Sequence, residues 1–199
     1  MTARGEVPLF PLNTVLFPGG PLSLRIFEPR YVDMVAERMR SNQPFGVCLI
    51  LEGEEAGDAA THHEVGTLAR ISDFQRFDDG ILGINAVGEE RFRVLSTRIQ
   101  SDQLIVGQIE ALPNEPEATL TEEHAAIPDL VRALIERTGP LYRGLPTYYQ
   151  DPTWLGYRLA EVLPIPLTRK QQLLELDNAI LRLDQIGDVL RAIAESEDR

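Results

Sequence analysis

Along the first 112 positions, apolar residues alternate with polar ones or run in short blocks bounded by Gly and Pro, whereas from about position 119 they recur every three to four residues. The first rhythm predicts strands and the second predicts helices. Strands are expected at 7–12, 21–27, 45–51, 65–74, 81–87, 92–96 and 104–112, where β-branched and aromatic residues gather between turn formers. Pro18-Gly19-Gly20-Pro21 should turn the chain sharply between the first two, since the glycines can take positive φ and the prolines fix φ beside them. Asp78-Asp79-Gly80 is a hairpin signal. Glu28-Pro29 opens the one early helix, with Val32, Val35, Ala36 and Met39 as its inner face. The polar, small-residue stretch 53–64 is expected to be a mobile surface loop.

Residues 8–31, PLFPLNTVLFPGGPLSLRIFEPRY, hold five prolines among apolar residues. Proline cannot donate to a central ladder, so this ribbon is expected at strand starts, edges and bends. Six or seven short strands with one early helix suggest a closed or nearly closed sheet, which removes exposed edges.

In the second part, Thr119-x-x-Glu122 and Thr168-x-x-Gln171 have capping-box spacing. Ile127, Leu130, Val131 and Leu134 form a stripe in a helix that Pro128 should kink or split and Gly139-Pro140 should end. Asp151-Pro152 restarts a helix facing inward with Leu155, Leu159 and Val162, and Leu163-Pro-Ile-Pro166 stops it. One bent helix or two abutting ones should follow to about 195, with Leu173, Leu174, Ile180, Leu183, Ile186, Leu190 and Ile193 inward. The change of rhythm near Pro113-Asn-Glu-Pro116 divides the chain into a β subdomain, 1–115, and a helical subdomain, 116–199. The fold class is α+β.

Composition adds exclusions. With 43% hydrophobic and 25% charged residues the chain is ordinary globular material, and no apolar run reaches the ~18 residues that cross a bilayer. No signal-peptide core is visible, so a cytoplasmic location is expected, and the lone Cys48, in an apolar strand, reads as an inert core thiol in a reducing compartment. A net charge of −12 disfavours nucleic-acid backbones and anionic membranes.

Catalytic chemistry finds little to stand on. Lys170, the sole lysine, sits in Thr-Arg-Lys-Gln and reads as a solvated helix end, which removes both a phosphate loop and a Ser-Lys dyad. His62-His63-Glu64 lacks metal-ligand spacing, and no G-x-S-x-G elbow accompanies the three histidines. The acidic pairs Glu54-Glu55, Asp78-Asp79, Glu89-Glu90 and Glu122-Glu123 fall in turns, loops and a helix start and read as solvated surface. No catalytic residue, metal site or cofactor is expected.

Two features stand out. Arg25-Ile-Phe-Glu-Pro-Arg-Tyr31 crowds charges of both signs where a strand meets a helix. Residues 141–154 place Tyr142, Tyr148, Tyr149 and Trp154 in or beside a Gly/Pro loop. Such groups either dock loops on a core or form a peptide-binding wall.

The opening ribbon resembles the start of the Lon protease N-terminal domain. Val65-Gly-Thr-Leu-Ala-Arg-Ile71 looks like that family's I-G-T-x-A-x-I strand, and Gly88-Glu-Glu-Arg-Phe-Arg-Val94 like its G-x-x-R-x-x-V/I strand. Leu155–Gln171 followed by Leu173-Leu-Glu-Leu-Asp177 and Arg182-Leu183 is similar to its helical K-Q-x-L-L-E-x-x-D-x-x-x-R-L segment. The chain departs from the family at Leu155-Gly156-Tyr157, where L-A-D is common, and at Leu181, where a glutamate usually precedes Arg-Leu. The resemblance implies a PUA-like β pseudo-barrel followed by a helical bundle, in a stand-alone bacterial version without ATPase or peptidase modules. It also implies a non-catalytic module for unfolded, extended or tagged polypeptide segments, working as an adaptor beside a protease or chaperone, with self-association open to it. An acidic surface with an apolar, aromatic-edged groove suits such a role, and Arg25, Phe27, Arg30, Tyr31, Tyr148 and Trp154 are the residues expected to line it. The alternative is a PUA-like RNA-binding module, which predicts a basic face.

Overall fold

The computed structural model describes residues 4–197. Compact packing divides the chain into two units, Met1–Pro113 and Asn114–Arg199.

In the first unit the described residues form β1 (Arg4–Leu12), β2 (Pro21–Ile26), α1 (Pro29–Ser41), β3 (Phe45–Glu52), β4 (Thr61–His62), β5 (Val65–Arg76), β6 (Leu82–Ile99) and β7 (Ile105–Ala111). Hydrogen bonds run in the order β1-β7-β6-β5-β3, and β3 returns to β1 in a parallel pair. Five strands thus close a ring, as the edge argument anticipates, and the other neighbours around it are antiparallel. β2 is held only by β6, and β4 only by β3, among the described residues.

The first part of the proline-bearing ribbon, residues 8–12, is buried on both faces. Leu9 joins Cys48, Phe92, Val94, Ile105 and Ile109 in one apolar cluster. Its neighbour Phe10, with Leu12, joins Ile26, Tyr31, Val35, Phe45 and Ile84 in another. Side chains alternate across a strand, so one short segment feeds both clusters. Cys48 is buried, and that burial pushes its thiol up to about 12.

Several expectations change here. The strands expected at 81–87 and 92–96 are not separate: from Leu82 onward both belong to the 18-residue β6. Register shifts against β5 and β7 bend it, so its first half carries β2 and its second half β7. Gly88 lies where the break was expected, and it is needed for contact rather than for a turn. Its N–H donates to the Gly20 carbonyl at 2.8 Å, its carbonyl accepts from Gly19 at 2.7 Å, and a Cβ there would lie 2.2 Å from the Phe17 oxygen. The 18–21 turn therefore seats the chain against β6 and does not pair β1 with β2. Only Gly19 of the two takes a left-handed φ, +73°. α1 starts at Pro29 as expected, but its buried face is Tyr31, Met34 and Val35, and Ala36 is exposed. The 53–64 segment is tethered: Glu55 accepts from the Asn13 N–H at 2.6 Å, the Gly57 N–H donates to Glu28 at 2.8 Å, and β4 pairs with β3.

The second unit holds 3-10 turns at Glu122–His124 and Gly139–Tyr142 and the helices α2 (Ile127–Thr138), α3 (Pro152–Val162), α4 (Leu167–Glu175) and α5 (Ala179–Glu197). Pro128 falls in the first turn of α2, so the segment is split rather than kinked. In α2 only Val131 of the expected stripe is fully buried, and Leu130 is exposed. Neither capping box forms: Thr121 precedes the first 3-10 turn and Pro166 precedes α4, both without a side-chain cap. Gln171 is buried and donates to Glu175 at 2.7 Å instead. Asp151 does cap α3, accepting from the Thr153 N–H at 2.9 Å.

α3 is buried on nearly every side, with Leu155, Leu159 and Ala160 against Leu173, Leu174, Leu183 and Ile186 in an apolar interior. Ile193, the last residue of the expected stripe, lies outside the residues whose side chains are described. Arg182 occupies the middle of this interior. Its guanidinium donates to Glu115 at 2.9 and 2.5 Å and to the carbonyls of Leu173 and Leu176, and it stacks over Tyr157 at 4.3 Å. The departures from the family pattern belong here. Tyr157 donates its hydroxyl to Glu115 at 2.5 Å, and a Cβ on Gly156 would come within 3.0 Å of the Arg182 side chain.

Candidate functional site

In the β unit, Arg25, Phe27 and Tyr31 meet around one cavity of about 140 Å³, which Phe10, Leu12, Leu24 and Ile26 also line. Strand alternation sends Leu24 and Ile26 inward and leaves Arg25 outward, and the chain leaves β2 with Phe27 exposed over 65% of its surface. Tyr31, only 5% exposed, stacks on Phe10 with ring centroids 3.8 Å apart. Burial raises its hydroxyl above the ordinary tyrosine range, and its Arg30 neighbour opposes this.

The charges at this rim are mostly matched. Arg25 pairs with Asp79 at 2.6 Å and lies over the Phe77 ring at 4.6 Å. Arg30 does not line the cavity; it is buried, pairs with Glu28 at 2.7 Å and donates to the Gln103 carbonyl at 3.0 Å. It therefore anchors the start of α1 to the loop before β7, a structural task.

Within the helical unit Tyr148 and Trp154 meet edge to face, with centroids 6.3 Å apart. Tyr149 makes a closer edge contact with Trp154 at 5.2 Å and carries the Arg132 guanidinium at 4.6 Å. Trp154 is 6% exposed and Tyr142 is buried as well, so these two dock the loop; Tyr148, at 55%, presents the aromatic surface.

A polar cluster that the sequence did not suggest lies beside Tyr142. Its hydroxyl donates to Glu161 at 2.7 Å, Arg158 donates to the same carboxylate at 2.7 Å, and Lys170 donates to the Glu161 carbonyl at 2.7 Å. Lys170 is thus not a solvated end: burial lowers its ammonium below the usual lysine value. Burial also pushes the Glu161 carboxyl up to about 7, against the pull of Arg158, Tyr142 and Lys170. The Tyr-Arg spacing and the Arg-x-x-Glu pair on one helix were the available signals, but neither reveals burial.

His124 is buried too, hydrogen-bonded to Thr121 Oγ1 at 2.9 Å and to Asp184 Oδ1 at 3.0 Å. It ties the first 3-10 turn to α5. No group of three or more His, Cys, Asp or Glu suited to a metal occurs among the described residues, nor any helix long and apolar enough to cross a membrane.

A five-stranded closed ring followed by a helical unit, with residues 6–192 matching the family model of the ATP-dependent protease La (LON) substrate-binding domain, defines the class: the chain belongs to that family. It is 33% identical to a Lon N-terminal domain protein from Xanthomonas campestris, whose crystal structure superposes with a TM-score of 0.77 over 92% of this chain and 98% of that one. The N-terminal domain of a Mycobacterium avium complex Lon protease shares the fold at a TM-score of 0.63 and 19% identity, over 92% of this chain and 97% of that one. The Lon protease of Anaeromyxobacter dehalogenans is 27% identical over 92% of this chain, and the chain spans 23% of its length. Protein cereblon of Danio rerio is 31% identical over 54% of this chain and 26% of that protein.

Proposed function

We propose that this chain binds extended or unfolded segments of other proteins, makes and breaks no bonds itself, and serves in the cytoplasm as an adaptor that presents such segments to a protease or chaperone. The observation that carries this reading is the match of residues 6–192 to a substrate-binding domain. The exposed Phe27 beside an apolar cavity supplies a physical anchor for it, since large exposed apolar side chains rimmed by polar groups suit transient protein contacts. Arg25 and Tyr31 join Phe27 as contact residues, and Tyr148 offers a second aromatic surface in the helical unit; Arg30 and Trp154 support them from within. The net charge of −12 weighs against an RNA-binding module, whose affinity would depend on phosphate contacts.

The test is a peptide array of segments from unfolded proteins, probed with the purified chain and with Phe27→Ser. Apolar segments should bind better than their scrambled polar counterparts, and Phe27→Ser should remove most of that difference. Equal binding of both sets, or a salt-sensitive shift of structured RNA in their place, would reject the reading.

A further inference from the structure

The cavity beside Phe27 runs along an edge of β2 that pairs with nothing among the described residues. Which backbone groups lie on that edge follows from the ladder. Gly88 donates to Gly20, so 20/88 is a hydrogen-bonded pair. Antiparallel pairs alternate, so 22/86, 24/84 and 26/82 exchange backbone hydrogen bonds, whereas Ser23 and Arg25 turn their N–H and C=O groups away from β6. Pro21, on the same outward phase, leaves no donor unused. Two N–H and two C=O groups therefore line an open strand edge, immediately beside an apolar cavity.

The cavity has its own chemistry. At about 140 Å³ it has room for one ring or branched aliphatic side chain, since apolar cavities of ~150 Å³ accept benzene. Tyr31 is buried in its wall, and its hydroxyl has no hydrogen-bond partner among the described residues. Of the charged residues at the rim, Arg25 is paired with Asp79 and Glu28 with Arg30. Among the described residues Glu55 accepts from the Asn13 N–H and has no cationic partner.

We propose that β2 takes up an extended polypeptide segment as an added strand on Ser23 and Arg25, with one apolar side chain of the segment in the cavity and one Lys or Arg against Glu55. This rests on the polypeptide-binding reading above and specifies its mode. Main-chain hydrogen bonds give such a site tolerance of sequence, and the cavity and the lone carboxylate give it a preference for an apolar residue next to a basic one. Phe27, at the end of the strand, covers the incoming apolar side chain.

The measurement is fluorescence anisotropy of a labelled octapeptide of alternating Val and Thr carrying one Leu and one Arg, titrated with the intact chain. Peptides N-methylated at alternate residues, in either phase, are the first comparison: one phase should lose affinity by about tenfold or more, as expected for removing one or two backbone hydrogen bonds, and the other should not. Ser23→Pro deletes an outward N–H and leaves the β6 ladder intact, so it should weaken binding to a similar degree while Ser23→Ala does not. Replacing the peptide's Arg by Glu should weaken binding to the unaltered chain and much less to Glu55→Gln. If the octapeptide binds but neither N-methyl phase matters, strand addition is wrong and the broader reading survives. If no apolar peptide binds, both fall. Should Ser23→Pro not fold, the N-methyl series on the unaltered chain still decides.

Discussion

The two units are held together by opposite means. The β unit closes its ladder on itself and fills both faces with aliphatic and aromatic side chains; apart from Arg30 with Glu28, its ion pairs, such as Arg70 with Glu89 and Arg98 with Glu6, are at least partly exposed. The smaller helical unit is organised around charge, with Arg182 and Glu115 buried together and a second buried pair in Arg158 with Glu161. A closed ladder satisfies its backbone internally and needs only apolar filling. Short helices leave terminal carbonyls without partners, and here Arg182 reaches the Leu173 and Leu176 carbonyls at the end of α4 while Glu115 neutralises it. Stability in the first unit is therefore spread over many contacts, and in the second it is concentrated in a few.

The largest test of this contrast is Glu115→Ala. Stranding a buried guanidinium should cost about 3–5 kcal/mol, and urea unfolding followed by hydrogen exchange should show the loss in the helices alone. A cost spread evenly over β1–β7 would break the contrast. In the β unit, Thr67→Val removes the buried hydroxyl that donates to the Leu16 carbonyl at 2.6 Å, and the orphaned carbonyl should cost about 1–3 kcal/mol, read as a shift in urea midpoint.

A pH series sharpens the difference further. The Glu161 carboxyl, pushed up to about 7 by burial, keeps its proton in the folded unit where the unfolded chain, near 4.5, has lost it. The contribution of this group to stability therefore falls as pH rises from about 4.5 to about 7 and is flat above. Thermal unfolding of the helical signal should show this decline, and Glu161→Gln should flatten it. The smallest effect on stability belongs to Phe27→Ser, within about 0.5 kcal/mol because the side chain is already in water. The same substitution should still abolish most apolar-peptide binding, which separates a binding role from a structural one.

Strand and helix positions were legible because each depends on local signals: residues 65–74 hold the strand formers Val65, Thr67, Ile71 and Phe74, Asp151-Pro152 carries a cap followed by a first-turn proline, and both elements form where expected. What local rhythm cannot carry is whether a neighbour covers a residue. Gly88-Glu89-Glu90 has the composition of a break, yet pairing holds it inside one long strand. Thr168-x-x-Gln171 has capping spacing, but Gln171 is buried, which removes it from the role. Of the six residues expected at a binding surface, Phe27 and Tyr148 are exposed, Arg25 lies at the rim, and Arg30, Tyr31 and Trp154 are interior. Their types were suggestive, and their exposure was not encoded in type.

Alone, the amino-acid order determined the α+β class, the family and the acidic field, because periodicity, motif order and charge are properties of a chain in one dimension. Tertiary structure decided which edge of the sheet stays open, which arginines are interior and that Glu55, at the cavity rim, has no cationic partner among the described residues. Those depend on residues tens of positions apart meeting in space, as Glu115 meets Arg182 and Gly20 meets Gly88.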